Sequence, residues 1–213
     1  MAAGKFMSVS KPVVTINAKE LLRELTVDSP NHKRMGMAIR SVIEPKIQER
    51  QKELQQKFAS HPITIELNAG PRASNTSGTL GGYGNLFSFI GFSSGDRPTE
   101  VISQIFKEKI KFKVRRKNNR GQYTVTFFIP SVDEIYGLTP IPWMTGKSWA
   151  QSIEEGGLTN LGQYLFSSSG FGGSSSGTGI QVKNRSSSVS FSRTPYIGKL
   201  IQNFTKRLLR LDK

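Results

Sequence analysis

The sequence predicts an α+β fold: a mixed or antiparallel sheet with a central basic hairpin, packed by a long helix in the N-terminal half and by a C-terminal helix, with long Gly- and Ser-rich loops. Three observations carry this expectation. Apolar residues at spacings of three, four and seven mark residues 36–59 and 195–211 as amphipathic helices. Strict apolar/polar alternation marks residues 110–129 as two strands joined by "KNNRG". At 213 residues the chain has material for one hydrophobic core, so residues 1–213 are expected to form a single domain, with extended loops at 68–98 and 167–179.

In chain order, "VVTINAKELLREL" passes from alternation at Val14 and Ile16 to helical spacing at Leu21, Leu22 and Leu25, with Asn17 as the cap. The long helix follows. Ile39, Val42, Ile43, Ile47, Leu54 and Phe58 form its apolar side, and Pro45 either kinks it or opens its second half. "HPITIEL" then alternates at Ile63, Ile65 and Leu67, which predicts a strand.

Glycines 78, 81, 82 and 84 break up the next stretch, "NAGPRASNTSGTLGGYGNLFSFIGFSSGDRP". A phosphate-cradling role needs a strand before the glycines and a helix directly after them, and the sequence after Gly84 reads as strand or loop. Two further readings stand: the aromatics pack inward from a long loop, or they are covered by a neighbouring subunit. The second is preferred, because a glycine-rich arm with large apolar groups needs a partner to bury them. It makes Tyr83, Leu86, Phe87, Phe89, Phe92 and, from the later Gly/Ser tract, Phe171 candidate interface residues.

Residues 98–107 suit a short helix with Val101, Ile102, Ile105 and Phe106 inward. In the hairpin, Ile110, Phe112 and Val114 alternate with Lys111, Lys113 and Arg115, and Tyr123, Val125, Phe127 and Ile129 alternate on the return. One face is apolar and the other basic. Lys111, Lys113, Arg115, Arg116, Lys117 and Arg120 are the candidate nucleic-acid-facing residues, since such a ribbon can track a phosphate backbone. Charge on a hairpin also blocks edge-to-edge aggregation, and the two readings stand level.

"TPIPWMTGKSWAQSIEEGG" contains a Thr-Gly-Lys-Ser like the tail of a phosphate-binding loop. The position where such a loop places its first Gly holds Ile141, and two prolines occupy the segment that would close around phosphate, so the nucleotide reading fails. Thr145 is expected to cap a helix starting at Gly146 or Lys147 and ending at Gly156. Residues 180–192 are expected to add a strand. Thr194 and Pro195 open the last helix, with Ile197, Leu200, Ile201, Phe204, Leu208 and Leu211 on one face.

Composition narrows function. Thirty Lys plus Arg against 15 Asp plus Glu give a net charge of +15, which favours a polyanionic partner. The absence of cysteine excludes disulfides and thiolate chemistry, and His32 with His61 is little material for a metal site or a triad. No run approaches the roughly 20 apolar residues of a membrane span, so the expectation is synthesis in a cytoplasm and no membrane partner. Glu154 and Glu155 fall on different helix faces, and with Asp133 and Glu134 they make a poor acid/base pair, so no enzyme and no cofactor are expected.

"NAGPRASNTSGTLGGYGNLFSFIGF", "TPIPWMTGKSWAQSIEEGGLTNLGQYL" and the closing "RTPYIGKLIQNF" resemble stretches of the neck, or tail-completion, proteins of tailed bacteriophages. The resemblance implies a structural virion protein of the neck, assembled in the host cytoplasm. It implies a hexameric ring that joins the head connector or adaptor to the tail terminator or tail tube and surrounds packaged DNA. It implies no catalytic residues. The alternative class is a cellular RNA-binding protein, such as a ribosome-associated factor, using the basic hairpin 107–121. Aromatics beside the cations on the exposed face would favour that alternative, and the alternation points Phe112 and Tyr123 the other way.

Overall fold

In the computed structural model, residues 12–17, 32–80, 85–116, 122–142, 144–155 and 193–210 are described. The fold is α+β, as expected: seven helices and two small antiparallel sheets among these residues. The sequence-predicted helix at 18–25 and strand at 180–192 lie outside the described residues, as do Lys117, Arg120, Tyr83 and Phe171, while Asn17, the expected cap of that helix, ends the first strand.

The first strand, β1 (Pro12–Asn17), leads to α1 (His32–Ala59), 28 residues long with Pro45 inside it. Of the alternatives for Pro45, a new helix start is ruled out, because the helix runs through it. Pro45 sits on the exposed side, where water can take the carbonyl that its missing N–H leaves. Ile39, Ile43, Ile47, Leu54 and Phe58 are buried along one stripe. That stripe packs on α4 (Glu100–Glu108) and on α7 (Ile197–Leu208). Gln51 anchors the first contact, its amide donating to the Phe106 and Lys107 carbonyls at 2.7 and 2.8 Å, groups that a helix end leaves unpaired. Phe58 meets the edge of Phe106 with ring centroids 5.4 Å apart.

The strand expected at residues 63–67 is instead a helix, α2 (Pro62–Ala69). Pro62 occupies its first turn, where a missing N–H costs nothing, and His61 caps it by accepting from the Ile63 N–H at 3.3 Å. Burial separates the two periods. Ile63 and Leu67 are 0% and 1% exposed while Ile65, between them, is 47% exposed.

The segment 68–98 is also more structured than a loop. A 3-10 turn (Gly70–Arg72) follows α2, and a short helix, α3 (Leu86–Ile90), is capped by Asn85, whose side chain accepts from the Ser88 N–H. The buried Glu66 carboxylate holds the intervening chain, accepting from Asn75 Nδ2 at 3.0 Å, the Ser77 N–H at 2.9 Å and the Leu86 N–H at 2.6 Å. Leu86, Phe87 and Phe92 are buried in this chain's own core and Phe89 is half-buried against it. The expectation that Leu86, Phe87 and Phe92 wait for a neighbouring subunit is therefore corrected: the inward-packing reading describes them.

The main sheet has the order β1-β3-β2, with β2 (Lys111–Arg116) and β1 both antiparallel to the central β3 (Tyr123–Phe128). After α5 (Val132–Gly137), a second two-stranded sheet pairs β4 (Pro140–Ile141) with β5 (Met144–Ser148), which holds the whole Thr-Gly-Lys-Ser. The expected Thr145 cap is thus replaced by Ser148, whose Oγ accepts from the Gln151 N–H at 3.1 Å to open α6 (Trp149–Glu155). Gly146 has φ +79°, a left-handed conformation within β5 that supports glycine there. Thr139 shares a 2.7 Å hydroxyl bond with Ser148, and its carbonyl accepts the Trp149 N–H, tying α5 to this corner.

Candidate nucleic-acid interface

The hairpin has the alternation read from sequence. In β3, Tyr123, Val125 and Phe127 are buried and Thr124, Thr126 and Phe128 are half-buried. Across from them, Lys111 pairs with Phe128, Lys113 with Thr126 and Arg115 with Thr124. Period two therefore gathers three cations, two hydroxyls and one aromatic on the face opposite the core, with no carboxylate at any of the six positions. Lys113 Nζ lies 5.3 Å from the centroid of the Phe128 ring, a cation–π pair on that face.

Arg116 pairs with Tyr123, so alternation assigns it to the opposite side of the strand from Arg115. Of the candidate cations, Lys111, Lys113 and Arg115 come together, Arg116 stands apart from them, and Lys117 and Arg120 lie outside the described residues. Lys109, part of the same run in sequence, is engaged elsewhere through an ion pair with Glu134. The contiguous charge run is therefore not one surface.

Phe128 is the residue that sequence reading passed over. The run "TFF" places two aromatics in succession, and alternation sends one to each face; choosing Phe127 for the core leaves Phe128 beside the cations. The signal was present in the period-two pattern itself.

Along β2, a groove of about 600 Å³ runs between the strand and the first turns of α1. Phe112, Val114, Gly36 and Met37 contribute apolar surface to it, and Arg40 places its guanidinium 5.4 Å from the Phe112 ring centroid. A second cavity of about 610 Å³ lies between α2 and the start of α4, where Thr99 donates to Asn68 Oδ1 and Asp96 accepts from the Ser93 N–H.

Of the carboxylates considered for acid/base work, Glu134 and Glu154 have structural partners. Glu134 pairs with Lys109. Glu154 accepts from the Tyr196 N–H at 2.7 Å, from the Gly198 N–H at 3.0 Å and from the Tyr136 hydroxyl, closing the start of α7. Burial first, then this hydrogen bond to a carboxylate, push the Tyr136 phenol well above its ordinary pKa. Among the described residues no group of three or more His, Asp or Glu is placed to hold a metal ion, and no helix is long and apolar enough to cross a membrane.

Comparison with protein-family models, with curated proteins and with solved structures gave no match.

Proposed function

We propose that this chain is a structural, non-enzymatic protein whose sheet presents its basic face to nucleic acid, and that it serves in the neck of a tailed phage particle as one subunit of a ring around packaged DNA. The observation that carries the nucleic-acid part is the Lys111, Lys113, Arg115 face, three cations alternating along one strand with no carboxylate across from them. A ring repeats that face around its lumen, so three cations per subunit sum to a strong field along the DNA path. The neck placement, the ring, and the head-connector and tail partners rest on the resemblance of "NAGPRASNTSGTLGGYGNLFSFIGF" and "TPIPWMTGKSWAQSIEEGGLTNLGQYL" to tail-completion proteins.

Two experiments separate these parts. Density-gradient sedimentation of native lysate, with the chain located by mass spectrometry, should place it with tailed particles; finding it with ribosomes, or only as a slow free species, would overturn the neck placement. Replacing Lys111, Lys113, Arg115 and Arg116 with Gln should flatten the salt dependence of duplex binding, by about 0.9 in log–log slope for every phosphate that the variant no longer neutralises. An unchanged slope would move the binding surface elsewhere.

The RNA-binding alternative gains from Phe128, which meets the condition of an aromatic beside the cations on the exposed face. Under that reading Phe128→Ala weakens single-stranded RNA binding by about 1–3 kcal/mol, the range for removal of a base-stacking platform, and leaves duplex DNA binding unchanged. A variant that binds both as before would remove the support Phe128 gives.

A further inference from the structure

We infer that the groove along the outer edge of β2 is a docking site for an acidic, extended segment of a partner protein, which adds to the main sheet as a further strand. This goes beyond the nucleic-acid reading and uses the outer edge of β2, where Lys113 and Arg115 of the basic face also reach the groove. β2 ends the order β1-β3-β2, and among the described residues no strand pairs with its outer edge. On such an edge alternate N–H and C=O groups point away from the sheet and form a template for another chain.

The groove beside that edge supplies what an added strand needs for its side chains. It holds about 600 Å³ between β2 and α1, and its apolar lining includes Phe112 and Val114, two residues apart and so on one face of the strand. Met37, on α1, is 62% exposed at the same groove, a large apolar side chain that nothing among the described residues covers.

Charge selects the occupant. Among the described residues that line the groove, Arg40, Lys113, Arg115 and Arg116 are cationic and none is a carboxylate. Glu44, one turn along α1, pairs with Arg40 at 3.9 Å with both side chains largely exposed, a contact that water screens. A second copy of this chain brings another +15 of charge toward the same rim, which disfavours it against an acidic segment. The strand-edge amides offer a ladder that a peptide backbone matches and bases do not, which favours a peptide over nucleic acid.

The test uses the full chain and a synthetic peptide of about seven residues alternating Glu with Val, long enough to run beside a strand. Binding measured by fluorescence polarisation should be saturable and should slow amide exchange across residues 111–116. A peptide of identical charge with a central proline should bind about tenfold more weakly, because it lacks a ladder donor. The double variant Met37→Glu, Arg40→Glu, at two exposed helix positions, should weaken binding by a similar factor, whereas Lys57→Gln, an exposed cation in the last turn of α1, should bind as the parent does. Absence of binding overturns the proposal. So does equal binding of the proline peptide, which would reduce the contact to bulk charge. A double variant that still binds the peptide but no longer binds an oligonucleotide also overturns it, and would make the groove a nucleic-acid track.

Discussion

Glu154 shows how one side chain closes this fold. Its carboxylate takes two backbone N–H groups from the start of α7 and the Tyr136 hydroxyl from α5, while sitting on α6, so three helices meet at one group. Gly198 permits the approach: a Cβ there would stand 3.3 Å from Glu154 Oε1. Hydrogen bonds to a charged group are worth about 1.5–3 kcal/mol each in stability, and removing the acceptor strands donors in a partly buried place. Glu154→Ala should therefore lower the unfolding free energy by about 3 kcal/mol in urea titration, with Glu154→Gln costing clearly less. A change below about 0.5 kcal/mol, the range of surface substitutions, would mean that α7 is held by its apolar face alone. His61 makes a second prediction. Burial lowers its pKa, opposed by a hydrogen bond with Pro195 and by the charge of Glu154, and its ring lies 4.7 Å from that of Tyr196. A folded pKa depressed below the unfolded value of about 6.5 gives stability that is present above that value and lost as pH falls through the folded one. Thermal melts should accordingly fall between about pH 7.5 and about pH 5.5, and His61→Asn, which keeps a capping side chain, should flatten that fall.

At the scale of elements, α2 makes the sharpest demand. Ile63→Ala removes a fully buried side chain from the core and should cost about 2–5 kcal/mol, whereas Ile65→Ala, at a position 47% exposed, should cost under about 0.5 kcal/mol. Equal costs in denaturant titration would return the segment to a strand. Pro45→Ala should act in the other direction. It restores a helix hydrogen bond at an exposed position within α1, and should stabilise by roughly 1–3 kcal/mol less whatever entropy the unfolded chain regains. These elements also show what sequence makes legible. The hairpin and α7 were readable because many residues repeat one period: every predicted inward position of α7 from Ile197 to Leu208 is buried. α2 was not, because Ile63 and Leu67 fit a helix and a strand equally, and only the three-dimensional neighbours decide. The strand reading also turned Glu66 outward, hiding the carboxylate that holds Asn75, Ser77 and Leu86. Glu154 and the start of α7 are more than 40 residues apart, so no local pattern could announce their contact. The basic face was legible, and Phe128 within it only by following the alternation to its end.

For the molecule as a whole, 30 cations against 15 carboxylates set two responses to salt that have opposite signs. A compact chain of net charge +15 repels itself, and ions at about 0.1 M screen that repulsion beyond about 10 Å, so added salt should raise the melting temperature. Nucleic-acid binding should fall over the same range, because neutralising each phosphate releases a counterion. With Lys111, Lys113 and Arg115 all engaged, duplex affinity should drop roughly fortyfold between about 50 mM and about 200 mM salt. Measured together by melts and by binding titration, the two trends distinguish causes. Affinity falling while stability rises assigns the weaker binding to the interface, and the four-Gln variant should then show the same stabilising trend, reduced in proportion to its lower net charge, with a nearly flat affinity. If stability and affinity fell together in the parent chain, weakened binding would reflect unfolding, and the basic face would owe its charge to keeping the outer edge of β2, unpaired among the described residues, from pairing with other chains.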